Sequence, residues 1–252
     1  MGERAMQGAA MVQEVAIGDP RDRIIVPLDV PNLDRAKEWV DLLPEVRFWK
    51  VGLELFVSGG APILALLRQR GCRIFLDLKF HDIPNTMAGA CASAAAYGLD
   101  FLTVHSTAGR AALQAAQAAS QTTALQNGYP APCILAVTLL TSLNSQALAE
   151  DLQVPVALMD YVQQLARLAQ DSGVGGVVCS PQEVMAVRQV CPRPFTVVCP
   201  GVRPPWAAIG DQQRTLTPRE ALAAGADYLV IGRPITQAED PAGAFAQICD
   251  GL

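Results

Sequence analysis

From Arg23 onward, short runs of apolar and β-branched residues alternate with longer stretches rich in alanine and leucine. The runs RIIVPLD (23–29), VRFWKV (46–51), RIFLDLK (73–79), DFLTVH (100–105), CILAVTL (133–139), GGVVCS (175–180), PFTVVC (194–199) and DYLVIG (227–232) are nearly continuous in apolar character. That is the pattern of strands covered on both faces, as opposed to the strict alternation of a half-exposed sheet. The stretches between them predict helices over 32–42, 58–70, 85–97, 109–124, 155–172, 181–190, 217–224 and 239–250. Asn32, Ser180-Pro181 and Thr217-Pro218 stand where a capping side chain or a first-turn proline suits a helix start. Gly71, Gly98, Gly173 and Gly225 follow helices, where a left-handed residue is accessible to glycine.

Strands and helices in strict alternation, eight of each, predict an α/β chain folded as a single-domain (β/α)8 TIM barrel. An open doubly wound sheet is the competitor, but the first strand-to-helix turn, LDVPNLD, lacks the glycine pattern of a dinucleotide-binding fold. No linker or composition break splits the chain, so the expected organisation is an extension over 1–22, poorly ordered, and a barrel over 23–252.

Composition narrows the function classes. The 252 residues are 51% hydrophobic and 17% charged, which excludes a disordered chain. Lys and Arg number 19 against 24 Asp and Glu, a net charge of −5, so nucleic acid is not the expected partner. Seven cysteines with no CxxC, mostly inside apolar runs, read as buried reduced thiols. With two histidines no zinc set of His and Cys assembles, although a carboxylate-held magnesium ion is left open. The first twenty residues lack a secretory core, Met6 occupies the position where a myristoylation motif needs Ser or Thr, and no apolar stretch spans a bilayer. The expectation is a soluble, cytoplasmic protein without a membrane partner.

In such a barrel the strand C-termini and the loops after them form the active face. Read in order, they carry Asp29, Lys50, Asp77 with Lys79 and Asp82, His105, Thr138 to Ser142, Ser180, Arg203 and Gly232-Arg233. Charge at so many strand ends is hard to explain as packing. The densest piece is DLKFHDIPNT (77–86). Asp77 and Lys79 are two apart on a strand and so face the same way, into the mouth. Lys50 ends the neighbouring strand and Asp82 follows the motif, giving two carboxylates and two ammoniums that hold each other ionised. A lysine so placed is a proton donor for a carbanion formed beside it. PGVR (200–203) and IGRPI (231–235) follow the seventh and eighth strands, where barrels commonly bind phosphate through backbone N–H groups and a forked arginine.

PLDV, FWKVGLELF, DLKFHDIPNT, VTLLTS, PGVRPPW, GDQQR and VIGRPI, in this order and spacing, resemble the orotidine 5′-monophosphate decarboxylases of the bacterial type over nearly all of the chain after the extension. The resemblance implies decarboxylation of orotidine 5′-monophosphate (OMP) to UMP, the last step of de novo pyrimidine synthesis, without metal or cofactor. It implies that Asp29 and Lys50 hold ribose hydroxyls, that Asp77 sits by the departing carboxylate and orients Lys79, and that Lys79 protonates the carbanion. Asp82, with Ile83 and Thr86 close by, is implied to reach the neighbouring subunit's site, making the active unit a homodimer. Thr141 or Ser142 is implied to bond the pyrimidine. Gln212 is implied to bridge base and phosphate from a closing loop, with Arg203 supporting it, and Gly232 and Arg233 to bind phosphate. His81 and His105 are read as structural. Magnesium-dependent keto-sugar phosphate enzymes share the DxKxxD core and are the nearest rival; a catalytically silent nucleotide-binding barrel is a more distant one.

Overall fold

The computed structural model describes residues 18–207 and 215–252. Its eight strands are β1 (Ile24–Pro27), β2 (Phe48–Gly52), β3 (Arg73–Phe80), β4 (Phe101–His105), β5 (Cys133–Val137), β6 (Gly176–Val178), β7 (Thr196–Cys199) and β8 (Tyr228–Val230). All pair in parallel with their sequence neighbours, and β1 closes on β8 through Ile24 opposite Leu229. The predicted single-domain barrel is therefore the fold. Every predicted strand is present.

The helices are α1 (Leu33–Leu42), α2 (Leu53–Gly59), α3 (Pro62–Gln69), α4 (Pro84–Ala95), α5 (Arg110–Gln126), α6 (Ser145–Glu150), α7 (Leu158–Asp171), α8 (Val184–Val190), α9 (Pro218–Ala223), α10 (Arg233–Thr236) and α11 (Pro241–Asp250). Three of them, α2, α6 and α10, fall where the sequence predicts loops. The helix expected over 58–70 is shorter because Gly60, at φ 60, ends α2 and the chain restarts at Pro62. Asn32 caps α1 by accepting from the Arg35 N–H, and Thr217 forms a capping box with Glu220 ahead of α9. Gly71, Gly98, Gly173 and Gly225 all take positive φ, between 68 and 112°.

The barrel interior is filled by Ile25, Phe48, Phe75, Phe101, Leu135, Val137, Val178, Val198, Tyr228 and Val230, while the other strand faces pack under the helices. Phe101 lies at the centre of the lower interior, 5.1 Å from Phe48 and 5.0 Å from Tyr228 between ring centroids. Arg73, at the N-terminal end of β3, lays its guanidinium 4.1 Å over the Phe48 ring and donates Nε–H to Asp100 Oδ1 at 3.0 Å. A cation over a ring face with its carboxylate satisfied closes that end of the barrel.

The boundary expected at Asp22 falls inside a built turn. Asp19 caps a 3-10 turn over Pro20–Arg23, and its carboxylate pairs with Arg21 at 2.8 Å and Arg47 at 3.1 Å. All seven cysteines are free. Burial pushes the Cys91 and Cys133 thiols up to about 12, and those of Cys191 and Cys249 up to about 11, as expected of reduced core residues. Among the described residues no helix is long and apolar enough to cross a membrane.

Candidate active site

Inward positions recur every second residue along the strands, so the residue two beyond each interior aromatic forms the next layer toward the C-terminal face. Phe48 leads to Lys50, Phe75 to Asp77 and Phe101 to Thr103. The three side chains of this layer are nearly or wholly buried, with 9, 8 and 0% of their residue surface exposed. Lys50 Nζ lies 3.1 Å from Asp29 Oδ1 and 3.4 Å from Asp77 Oδ2. Lys79 Nζ lies 2.8 Å from Asp77 Oδ1, which also accepts from the Thr103 hydroxyl at 3.0 Å. The result is a continuous array, Asp29–Lys50–Asp77–Lys79, of two carboxylates and two ammoniums.

Its composition differs from the cluster expected at the sequence level. Asp29 supplies the second carboxylate, and Asp82 stands apart. The Asp82 Oδ1 accepts from the Ile83 N–H at 2.7 Å, and the side chain forms no ion pair among the described residues. Asp82, Ile83 and Thr86 are all exposed on the rim where β3 hands over to α4, Ile83 to the extent of 67%.

Lys79 also reaches Asp77 by a route other than simple alternation. The β3–β4 register shifts between Leu76 and Phe80, and Lys79 has φ 52, in the left-handed region. A non-glycine residue held there costs on the order of 1–2 kcal/mol. The Lys79 N–H donates to Thr103 Oγ1 at 2.9 Å, which secures the irregular turn.

Burial acts to raise the Asp77 carboxyl, but the facing Lys50 and Lys79 charges and the hydrogen bonds from Lys79 and Thr103 outweigh it and hold Asp77 below the usual carboxylate range. His105, at the end of β4, faces His81 with ring centroids 5.5 Å apart. Burial and the neighbouring His81 and Lys79 push its imidazole below the ordinary value against a smaller opposing pull from Asp77.

At the opposite side of the mouth, Gly232 immediately precedes α10, and a Cβ there would come within 2.8 Å of Pro27 Cγ. Only glycine fits between β1 and this turn, which leaves the backbone bare for close approach of a ligand. Arg203 is buried, donates Nη1–H to the Val202 carbonyl at 2.9 Å, and its own N–H bonds the Leu216 carbonyl at 3.0 Å. Arg233 is half-buried at the start of α10. Gln212 lies outside the described residues. Thr141 is half-buried and Ser142 exposed in the turn after β5.

Two strand-end positions have local structural roles. Thr138 donates to the Val178 carbonyl at 3.3 Å, and Ser180 forms a capping box with the fully buried Glu183. Two residues of the site escaped the sequence reading. Thr103 sits inside an apolar strand run, where its β-branched side chain reads as a strand former. Gly52 follows β2's Lys50, and a Cβ there would lie 3.0 Å from Lys50 Nζ and 3.3 Å from Asp29 Oδ1. The signal for Thr103 is its spacing, two residues before His105 on an inward-facing strand. Among the described residues no group of three His, Cys, Asp or Glu side chains converges to hold a metal ion.

Comparison with known proteins places the chain in a family. The family model described as "Orotidine 5'-phosphate decarboxylase / HUMPS family" matches residues 22–248. The chain belongs to the orotidine 5′-phosphate decarboxylase / HUMPS family. Within it, an orotidine 5′-phosphate decarboxylase of Gloeothece citriformis is 59% identical over 92% of this chain and 97% of its own, and one of Synechocystis sp. is 56% identical over 92% and 98%. The crystal structure of an orotidine 5′-phosphate decarboxylase from Lactobacillus acidophilus superimposes with a TM-score of 0.81 at 36% identity, over 90% of this chain and 97% of the other. Membership of the orotidine 5′-phosphate decarboxylase / HUMPS family bears out the resemblance carried by DLKFHDIPNT and VIGRPI.

Proposed function

We propose that this chain decarboxylates OMP to UMP and CO2 as the last step of pyrimidine nucleotide synthesis in the cytoplasm, with Lys79 as proton donor and no metal or organic cofactor. The observation that carries the reading is the buried Asp29–Lys50–Asp77–Lys79 array at the C-terminal mouth of the barrel. The names of the relatives at 51–59% identity support the same substrate.

The chemistry follows from charge placement. A substrate carboxylate brought beside Asp77 meets a fixed negative charge, whereas the electron pair left on the pyrimidine carbon after loss of CO2 meets the Lys79 ammonium. Interactions that improve along the reaction lower its barrier, because only the difference between transition state and ground state accelerates the step. Lys79 then delivers a proton to that carbon and regains one from water, so the balance is OMP plus a proton to UMP plus CO2. Asp77 accepts from Lys79 and Thr103 and pairs with Lys50, which fixes the donor before substrate arrives. Asp29 and Lys50 are assigned to the ribose, Thr141 or Ser142 to the pyrimidine, Gly232 and Arg233 to the phosphate, and Gln212, supported by Arg203, to a bridge between base and phosphate.

Asp82, Ile83 and Thr86 are assigned to the neighbouring subunit's site in a homodimer. Their exposure on the catalytic rim, with Asp82 unpaired to Lys50 or Lys79, supports that reading.

The deciding assay is loss of the orotate absorbance from OMP with purified protein in excess chelator. Turnover to UMP at an undiminished rate is expected. Turnover that appears only on adding magnesium, or only with a keto-sugar phosphate, would transfer the chain to the other activity of its family. A second measurement addresses the phosphate end. Gly232→Ala drives a methyl group against Pro27, an overpacking worth about 1–3 kcal/mol. It is expected to weaken UMP binding by about tenfold or more by calorimetry, and unchanged affinity would detach that turn from the ligand.

A further inference from the structure

Among the described residues, Thr103 is the one wholly buried hydroxyl that bonds both Asp77 and Lys79. Its Oγ1 donates to Asp77 Oδ1 at 3.0 Å and accepts from the Lys79 backbone N–H at 2.9 Å. A hydroxyl donates and accepts at once, and neither a methyl group nor an amide hydrogen can do both. The position it holds is the irregular one: Lys79 sits at φ 52 where the β3–β4 register shifts, a conformation that a lysine leaves unless its surroundings hold it. On β4 the γ-methyl group and the pairing of the strand keep the hydroxyl in place.

We propose that Thr103 is a positioning residue of the decarboxylation, holding the Lys79 backbone in its left-handed turn and the Asp77 carboxylate in the orientation from which Lys79 delivers its proton. The inference rests on the proposed activity. Thr103 acts through Asp77 and Lys79 and has no part in holding ribose or phosphate. Its loss therefore falls on the chemical step and spares ground-state binding. A misplacement of reacting groups by about 1 Å is worth on the order of 10²-fold in rate. The Asp77 carboxylate faces Lys50, Lys79 and the Thr103 hydroxyl, with the His105 imidazole also within electrostatic reach. Removing the hydroxyl thus takes away one of the groups that stabilise its charged form and moves its titration upward.

The test compares Thr103→Val, nearly isosteric but without the hydroxyl, with Thr103→Ser, which keeps it. Rates are expressed per UMP-binding site so that unfolded protein does not enter them. Thr103→Val is expected to lower kcat by about 10²-fold with KM for OMP and affinity for UMP within about threefold of wild type, and Thr103→Ser to restore kcat to within about fivefold. Carboxyl 13C NMR of the ligand-free proteins is expected to show the Asp77 midpoint raised in Thr103→Val and unmoved in Thr103→Ser. If Thr103→Val does not fold, Thr103→Ala takes its place with the same expectations. A valine variant within twofold of wild type, a serine variant as impaired as valine, or an equal loss of UMP affinity would overturn the proposal. Wild-type protein that leaves OMP unchanged overturns the proposed activity instead. The positioning role is then decided by the Asp77 titration alone, which needs no substrate, and an unmoved midpoint would sink it.

Discussion

Lys79→Ala is expected to slow decarboxylation of OMP by at least about 10⁴-fold, the upper range for losing a general acid together with a charge aimed at the transition state. The ammonium lies 2.8 Å from Asp77, and the other ammonium of the array, Lys50, is shared between Asp29 and Asp77. UMP carries no carboxylate and no carbanion, so its affinity is expected to stay within about tenfold of wild type. Asp77 keeps Lys50 and Thr103 as partners in the variant, so the carboxylate is not left bare and the barrel is expected to fold. Stopped assays in chelator, with UMP affinity measured on the same preparation, check both halves. A residual rate within about 100-fold of wild type would place the donor elsewhere.

Asp82→Ala homodimers are also expected to be strongly impaired, and mixing them with Lys79→Ala homodimers by unfolding and refolding is expected to return activity. If Asp82 serves the opposite site, each heterodimer contains one site with both residues intact and one with neither. Random reassortment makes half the dimers mixed, and half of their sites whole, for about a quarter of the wild-type activity. The starting homodimers lack that activity, so the recovery stands against a nearly blank background. Heterodimers that form, as judged by a size or charge tag, yet stay inactive would return Asp82 to its own subunit.

All eight strands were legible because a strand covered on both faces has to be apolar throughout, and RIFLDLK and DFLTVH carry that requirement in the residues themselves. The helices α2, α6 and α10 were not, since each is at most seven residues long, too short for an apolar period to show, and is anchored by one or two buried residues such as Leu55, Leu148 and Ile235. Within the site, Lys50, Asp77 and Lys79 announce themselves as charges inside apolar runs. The partner of Lys50 is a different matter. The sequence groups Asp82 with these three charges without assigning pairs, and it is the fold that brings Asp29 to Lys50, because β1 and β2 are neighbours with Pro27 opposite Lys50. Thr103 was hidden by its own propensity: threonine is an ordinary strand residue, and only the register of β3 against β4 reveals which groups its hydroxyl meets. The bulge at Lys79 was hidden for the same reason, since a shift in pairing belongs to two strands at once.

Arg73 and Lys79 stand on the same strand at opposite ends of the barrel axis. Arg73 is four residues from Asp77, about 13 Å along β3, with the rings of Phe48, Phe75 and Phe101 between the two charged storeys. That neutral storey insulates one from the other: groups so far apart with no shared partner respond to substitution almost independently. A substitution at the sealed end is therefore expected to change how much heat the barrel withstands while leaving the Asp77–Lys79 pair as it is.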